Sequence, residues 1–144
     1  MKGYIIDASV AVRFLLKEDL SAEAEAVLEG FVMGRFDLFA PPLILCEVGN
    51  AIRTAAVRDM ISSETASEAY SFFLKLGLGR TVISVEEYGR VLDLCLKRKL
   101  SFYDGVYVYL SGVLNIPLLS ADDKMCEAAV GEALTVHLRD FVKV

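Results

Sequence analysis

The chain carries a single histidine, three cysteines, no long apolar run and no excess of basic charge, and each shortage closes off a class of function. One imidazole, His137, cannot serve a multi-histidine metal site. Cys46, Cys95 and Cys126 are odd in number, widely spaced and free of any CxxC pair, so neither a disulfide framework nor a zinc ribbon is indicated. No apolar stretch approaches the roughly 18 residues that span a bilayer, and Asp7 interrupts the only N-terminal run that would pass for a signal peptide. The expected location is therefore the cytoplasm. With 15 Lys and Arg against 20 Asp and Glu, the formal charge of -5 excludes coating of nucleic acid by bulk electrostatics, which needs a large basic surface. It does not exclude a nuclease. If four of the 20 acids are sequestered around a cation, the remainder nearly balance the 15 basic residues.

What is present is apolar substance. A 144-residue chain with 55% hydrophobic residues can bury a substantial core, and no repeat, low-complexity tract or linker divides it, so one domain over residues 1–144 is expected. A mean hydropathy of +0.47 is high enough to expect apolar surface covered by a second copy of the chain, a homodimer. Short β-like runs (Tyr4-Ile5-Ile6, Asp37-Leu38-Phe39-Ala40, Thr81-Val82-Ile83, Pro117-Leu118-Leu119 and Leu134-Thr135-Val136) alternate with helix-spaced segments at 21–33, 42–59, 62–76 and 85–98. This alternation predicts an α/β fold in three layers, α/β/α, with a central parallel sheet.

Four acids stand where an apolar segment gives way to a polar turn or helix start. Asp7 closes Gly3-Tyr4-Ile5-Ile6, Glu47 follows Pro41-Pro42-Leu43-Ile44, Asp104 opens Asp104-Gly105-Val106-Tyr107, and Asp122 follows Pro117-Leu118-Leu119-Ser120. In an open α/β sheet the strand ends and helix starts gather functional groups into one crevice. On a helix through this region, Ile44, Val48, Ala51, Ile52 and Ala55 form one apolar stripe; Glu47 lies on its flank, and Asn50 follows on the same side.

Each acid also has a purely structural reading. Asp7 or Ser9 would cap the next helix, and Asp104 fits a capping box opened by Ser101. Ser120 as N-cap would place Asp123 at the capping-box position and leave Asp122 free to point out of the turn. Glu47 has the weakest structural reading, since an amphipathic helix gains nothing from an acid beside its buried stripe. Two carboxylates about 4 Å apart repel by on the order of 4 kcal/mol at an effective dielectric near 20, so convergence of all four is a poor device for folding alone. A divalent cation would offset that repulsion, and oxygen-only donors favour Mg²⁺ or Mn²⁺. The three cysteines, all in helix-like segments, are expected in the core, and His137 is expected to be structural. Tyr103, Tyr107 and Tyr109 with Phe102 form an aromatic cluster able to stack a base, although residues at helix spacing are more often core or dimer contact.

The segments Ile6-Asp7-Ala8-Ser9-Val10, Pro42-Leu43-Ile44-Leu45-Cys46-Glu47-Val48-Gly49-Asn50-Ala51, Leu100-Ser101-Phe102-Tyr103-Asp104-Gly105-Val106-Tyr107 and Ile116-Pro117-Leu118-Leu119-Ser120-Ala121-Asp122 resemble, in order and spacing, the acidic motifs of PIN domains. The likeness covers essentially the whole chain and is closest to VapC-type toxins of type II toxin-antitoxin systems. It implies an Mg²⁺- or Mn²⁺-dependent endoribonuclease whose metal-holding acidic quartet is Asp7, Glu47, Asp104 and Asp122, supported by Ser9, Asn50 and Ser120. It further implies a homodimer, silenced by an antitoxin that places a basic side chain in or beside the acidic pocket. Gly105, Ser111-Gly112 and Ser120 depart mildly from that pattern, in which alanines and threonine are commoner, and put helix stability in slight doubt. Two rival functions are a receiver-type phosphoacceptor or phosphatase, for which Asp7-Ala8-Ser9 lacks the second acid, and a catalytically silent PIN-like module that only binds a partner.

Overall fold

The short strands pair side by side in one parallel sheet in a computed structural model describing residues 2–141. In chain order the elements are β1 (Gly3–Ile6), α1 (Ala8–Arg13), α2 (Ser21–Val32), β2 (Asp37–Ala40), α3 (Leu43–Val57), α4 (Ser63–Leu74), β3 (Gly79–Arg80), α5 (Tyr88–Arg98), α6 (Phe102–Leu114), β4 (Leu118–Ser120), α7 (Asp123–Ala128) and β5 (Thr135–His137). The strand order β3-β2-β1-β4-β5 puts β1 at the centre, with Ile5 opposite Phe39 of β2 on one side and opposite Leu118 of β4 on the other. Successive residues Ile5 and Ile6 are both fully buried, because a central parallel strand is covered on both faces by helices. The chain runs from β1 outward through β2 to β3 and then crosses back to β4 and β5 on the other side of β1, so the β1/β4 boundary is the switch point beyond whose carboxyl ends an α/β sheet forms its crevice.

The α3 stripe is buried as expected at Ile44, Val48, Ile52 and Ala55. Helix α6 sits deepest, with every residue from Gly105 to Ser111 buried. Its glycine has a reason. A methyl group at Gly105 would collide with Cys95 Sγ of α5, so the departure from alanine lets two helices approach and does not weaken the fold.

Three expectations are corrected. Thr81-Val82-Ile83 is not a strand: β3 ends at Arg80, and after the bond from Thr81 N to Ala40 O the chain leaves the sheet. The neighbouring strand runs into Pro41-Pro42, which have no N–H with which to continue the ladder. The segment 85–98 is not one helix either, because Ser84 and Glu87 close a capping box around a short 3-10 turn, Val85–Glu87, ahead of α5. Of the cysteines, Cys95 is buried, Cys126 is half-buried and Cys46 is exposed, on the outer side of α3. Among the described residues no helix is long and apolar enough to cross a membrane.

Candidate active site

Asp7 is buried, 3% exposed, at the point where β1 turns into α1. As N-cap of α1 it accepts a hydrogen bond from Val10 N at 3.2 Å and another from Ser9 Oγ at 2.5 Å, both on Oδ1. Ser120 Oγ, from the fully buried end of β4, donates to Oδ2 at 2.5 Å. The two serines are themselves held: Ala121 N donates to Ser9 Oγ at 2.9 Å and Asp122 N donates to Ser120 Oγ at 3.0 Å. The capping reading of Asp7 is therefore correct, and the ends of β1 and β4 are stitched together through this carboxylate. Burial pushes the Asp7 carboxyl up to about 6; the three hydrogen bonds oppose that shift, and the negative charge of Asp104 adds to it.

Glu47 lies five residues into α3 and is half-buried. Its Oε1 accepts a 2.6 Å hydrogen bond from the hydroxyl of Tyr107, a residue 1% exposed on α6. Burial raises the Glu47 carboxyl above its ordinary value, Tyr107 pulls it down, and Asp104 pushes it up again. Asp104 stands in the first turn of α6, where Ser101 Oγ caps its backbone N–H at 3.1 Å. Its carboxyl is raised by burial and then by the charge of Asp122. Asp104 is thus the electrostatic link: its charge is felt at Asp7 and at Glu47, and it feels Asp122 in turn.

Asp122 is placed differently from its sequence expectation. Ser120 does not cap α7, because it is still part of β4 and its hydroxyl is spent on Asp7 and on Asp122 N. Asp122 itself is the N-cap, accepting from Lys124 N at 2.9 Å and Met125 N at 3.2 Å through Oδ1. Asp123 does not reach back to the backbone. It pairs with Arg139 at 2.9 Å and with His137 Nε2 at 3.1 Å, while His137 Nδ1 accepts from Arg139 N, a structural role as expected.

Asn50 is exposed on α3 one turn beyond Glu47 and bonds to none of the four acids. The aromatic residues do not form one cluster. Tyr107 is tied to Glu47 and Tyr109 donates to Glu87 at 2.7 Å, whereas Phe102 and Tyr103 are exposed. The role of Tyr107 escaped the sequence reading, yet its signal was present: it lies three residues after Asp104, on the same side of one helix.

None of the four acids is in a salt bridge among the described residues. Buried carboxylates are ordinarily paired or bind metal, so a hard, oxygen-only donor set with a buried, unpaired Asp7 suits a divalent cation. The side chains are not already drawn into a cage, since among the described residues no three acidic, histidine or cysteine groups stand together as a ready metal site. Asp7, Glu47, Asp104 and Asp122 are the residues that would hold such an ion.

The chain is 32% identical over 130 residues to Ribonuclease VapC1 of Mycobacterium tuberculosis, covering 89% of this chain and 92% of that protein. It is 26% identical over 123 residues to VapC ribonuclease Mb0985 of Mycobacterium bovis, covering 85% of this chain and 88% of that protein. The crystal structure of PAE2754 from Pyrobaculum aerophilum superposes with a TM-score of 0.67 at 21% identity, covering 94% of this chain and 91% of that one, which supports the fold. The PIN domain family matches residues 4–131, and with that span the chain belongs to the PIN domain family.

Proposed function

We propose that this chain is an Mg²⁺- or Mn²⁺-dependent endoribonuclease that hydrolyses RNA phosphodiester bonds, and that it is the toxin of a VapBC-type toxin-antitoxin pair. The observation that carries the reading is that Asp7, Glu47 and Asp104 are raised by burial and then by neighbouring acidic charge, and that neither they nor Asp122 has a salt-bridge partner among the described residues, in a family whose curated relatives above are named ribonucleases. A bound divalent cation supplies positive charge for the phosphodiester and acidifies a water for in-line attack. The chain's own residues divide the remaining work. Asp7, locked by Ser9 and Ser120, is the rigid ligand, and Asp104 is the second direct one. Glu47 and Asp122 complete the shell, directly or through water, and Glu47, steered by Tyr107, orients the attacking water. Ser9 and Ser120 hold Asp7 in place, as hydrogen-bonded supports of a metal ligand do, and exposed Asn50 is assigned to the scissile phosphate.

The same reading gives a cytoplasmic homodimer regulated by an antitoxin whose basic side chain would neutralise the acidic site. The experiment is cleavage of labelled single-stranded RNA by the purified full chain. Cleavage is expected with Mn²⁺ or Mg²⁺, is expected to stop on chelation and return on metal addition, and is expected to be absent in Asp104→Asn. Partner binding without cleavage under any of these metals would favour the silent-module reading.

A further inference from the structure

A second feature adjoins the acids and is not used by them. Pro41, Pro42 and Leu43 at the start of α3, the segment from Thr81 to Ile83, Tyr88, and the first turn of α6 enclose a mostly apolar cavity of about 250 Å³. That is below the roughly 300–1,000 Å³ of sites for drug-sized ligands and gives room for one flat ring system. Its rim is aromatic: Tyr88 and Phe102 lie nearly parallel, 11° apart with ring centres 6.2 Å apart, and Tyr103 beside them is 61% exposed. Val82, 75% exposed, flanks the opening.

One polar group belongs to this wall without a partner. Thr81 is 8% exposed, and its Oγ1 is the buried side-chain oxygen or nitrogen that lacks a hydrogen bond among the described residues. Buried hydroxyls are nearly always satisfied, and an orphan in a cavity wall points to an occupant.

Resting on the ribonuclease reading, we infer that this cavity holds one unpaired nucleobase of the RNA, next to the bond that is cut, stacked on the Phe102 and Tyr103 side and read by the Thr81 hydroxyl. Position supports that occupant. Phe102 and Tyr103 immediately precede Asp104, and Leu43 precedes Glu47 by one helical turn, ~5.4 Å, within the span of a single nucleotide. Aromatic faces stack any base, and one hydroxyl, both donor and acceptor, adds a modest preference among bases. An apolar side chain from a second copy of the chain would leave the hydroxyl unsatisfied.

The test uses the full chain with Mn²⁺ on a random pool of single-stranded RNA, with cut sites sequenced, followed by one cut oligonucleotide bearing an abasic residue at successive positions. A base preference at a single position beside the cut is expected, and removing that base should lower kcat/KM about tenfold or more, the size of one stacked base. Tyr103→Ala should cause a similar loss on intact RNA and no further loss on the abasic RNA, and Thr81→Val should flatten the base preference. The inference is overturned if no position beside the cut depends on its base, or if Tyr103→Ala and Thr81→Val both keep the wild-type preference. It is equally overturned if Tyr103→Ala changes the oligomeric state in light scattering while the cut profile stays intact, which assigns the cavity to a second copy. A folded wild type that cuts no RNA with either metal overturns the ribonuclease reading itself, and this inference with it.

Discussion

The hydroxyl of Tyr107 on α6 donates to Glu47 Oε1 on α3 at 2.6 Å, joining the two helices by one part-buried bond between residues 60 apart in sequence. The bond favours the ionised carboxylate, while burial, and after it the bond and charge of Glu47, drives the phenol far above its ordinary value, so Tyr107 acts as a fixed donor. Tyr107→Phe is expected to release the Glu47 side chain and raise its carboxyl further. Cleavage should fall, and the acidic limb of the kcat profile should move to higher pH. Stability should drop by no more than about 0.5–1.5 kcal/mol, the net value of one hydrogen bond. An unchanged pH profile with a lower melting temperature would reduce Tyr107 to a packing residue.

The buried Asp7 makes stability depend on pH in a definite direction. Its folded value, about 6, lies above the ordinary 3.8, so the folded state holds a proton that the unfolded chain releases. Stability from this group is complete below the ordinary value and is lost as pH rises through about 6. In metal-free buffer the loss amounts to about 3 kcal/mol by pH 7, at 1.36 kcal/mol per unit. Urea unfolding of wild type and Asp7→Asn should therefore diverge between pH 4 and pH 7 in favour of the variant, and Mn²⁺ should recover the wild type alone.

The charge of Asp104 is felt at Asp7 and at Glu47, so its removal separates function from folding. Ser101 Oγ accepts from the backbone N–H of residue 104, which Asp104→Asn keeps, and the introduced amide oxygen can still accept from the Ser101 hydroxyl. The substitution also relieves the charge felt at Asp7 and Glu47. Cleavage should be abolished while the melting temperature in metal-free buffer is unchanged or raised. A clear destabilisation with normal cleavage would return Asp104 to a capping role.

Gly105 shows where a pattern in sequence and a contact in space part company. Read along the chain, glycine inside α6 is a weakness; in the fold, Cys95 Sγ occupies the place of its methyl group. Gly105→Ala is expected to cost about 1–3 kcal/mol through overpacking, measured by thermal or urea unfolding. Combination with Cys95→Ala should restore most of it. The strands near Ile5, Phe39 and Leu118 and the stripe of α3 were legible because burial on both faces or on one helix side leaves a local periodicity. The end of β3 was not, because it depends on prolines that follow a different strand, and neither was the reach of Tyr107 to Glu47, which depends on how α6 lies against α3. The four acids could be named from their places after apolar runs, but which atom of each caps a helix and which stays free is decided by a residue or two of register.

Asp122 and Asp123 are the case in which that register matters most. Sequence favours Ser120 as cap and Asp123 as its reciprocal partner; in the fold Asp122 caps α7 through Oδ1, and its Oδ2 accepts no hydrogen bond among the described residues. One carboxylate therefore has two duties, and three substitutions separate them. Asp122→Ala removes both and should lose cleavage together with about 0.5–2 kcal/mol of stability, the range for a deleted N-cap. Asp122→Asn keeps an equally good cap and discards the charge, so it should melt like the wild type and still fail to cleave RNA with Mg²⁺ or Mn²⁺. Asp123→Ala loses an exposed pair with Arg139 and the contact to His137, for which at most about 1 kcal/mol is expected, with cleavage retained. Unfolding curves and initial cleavage rates on the three variants decide the assignment. If Asp122→Asn cleaves normally and Asp123→Ala does not, the fourth acid of the site is Asp123, and the Oδ2 left free at the start of α7 is no more than the outer half of a cap.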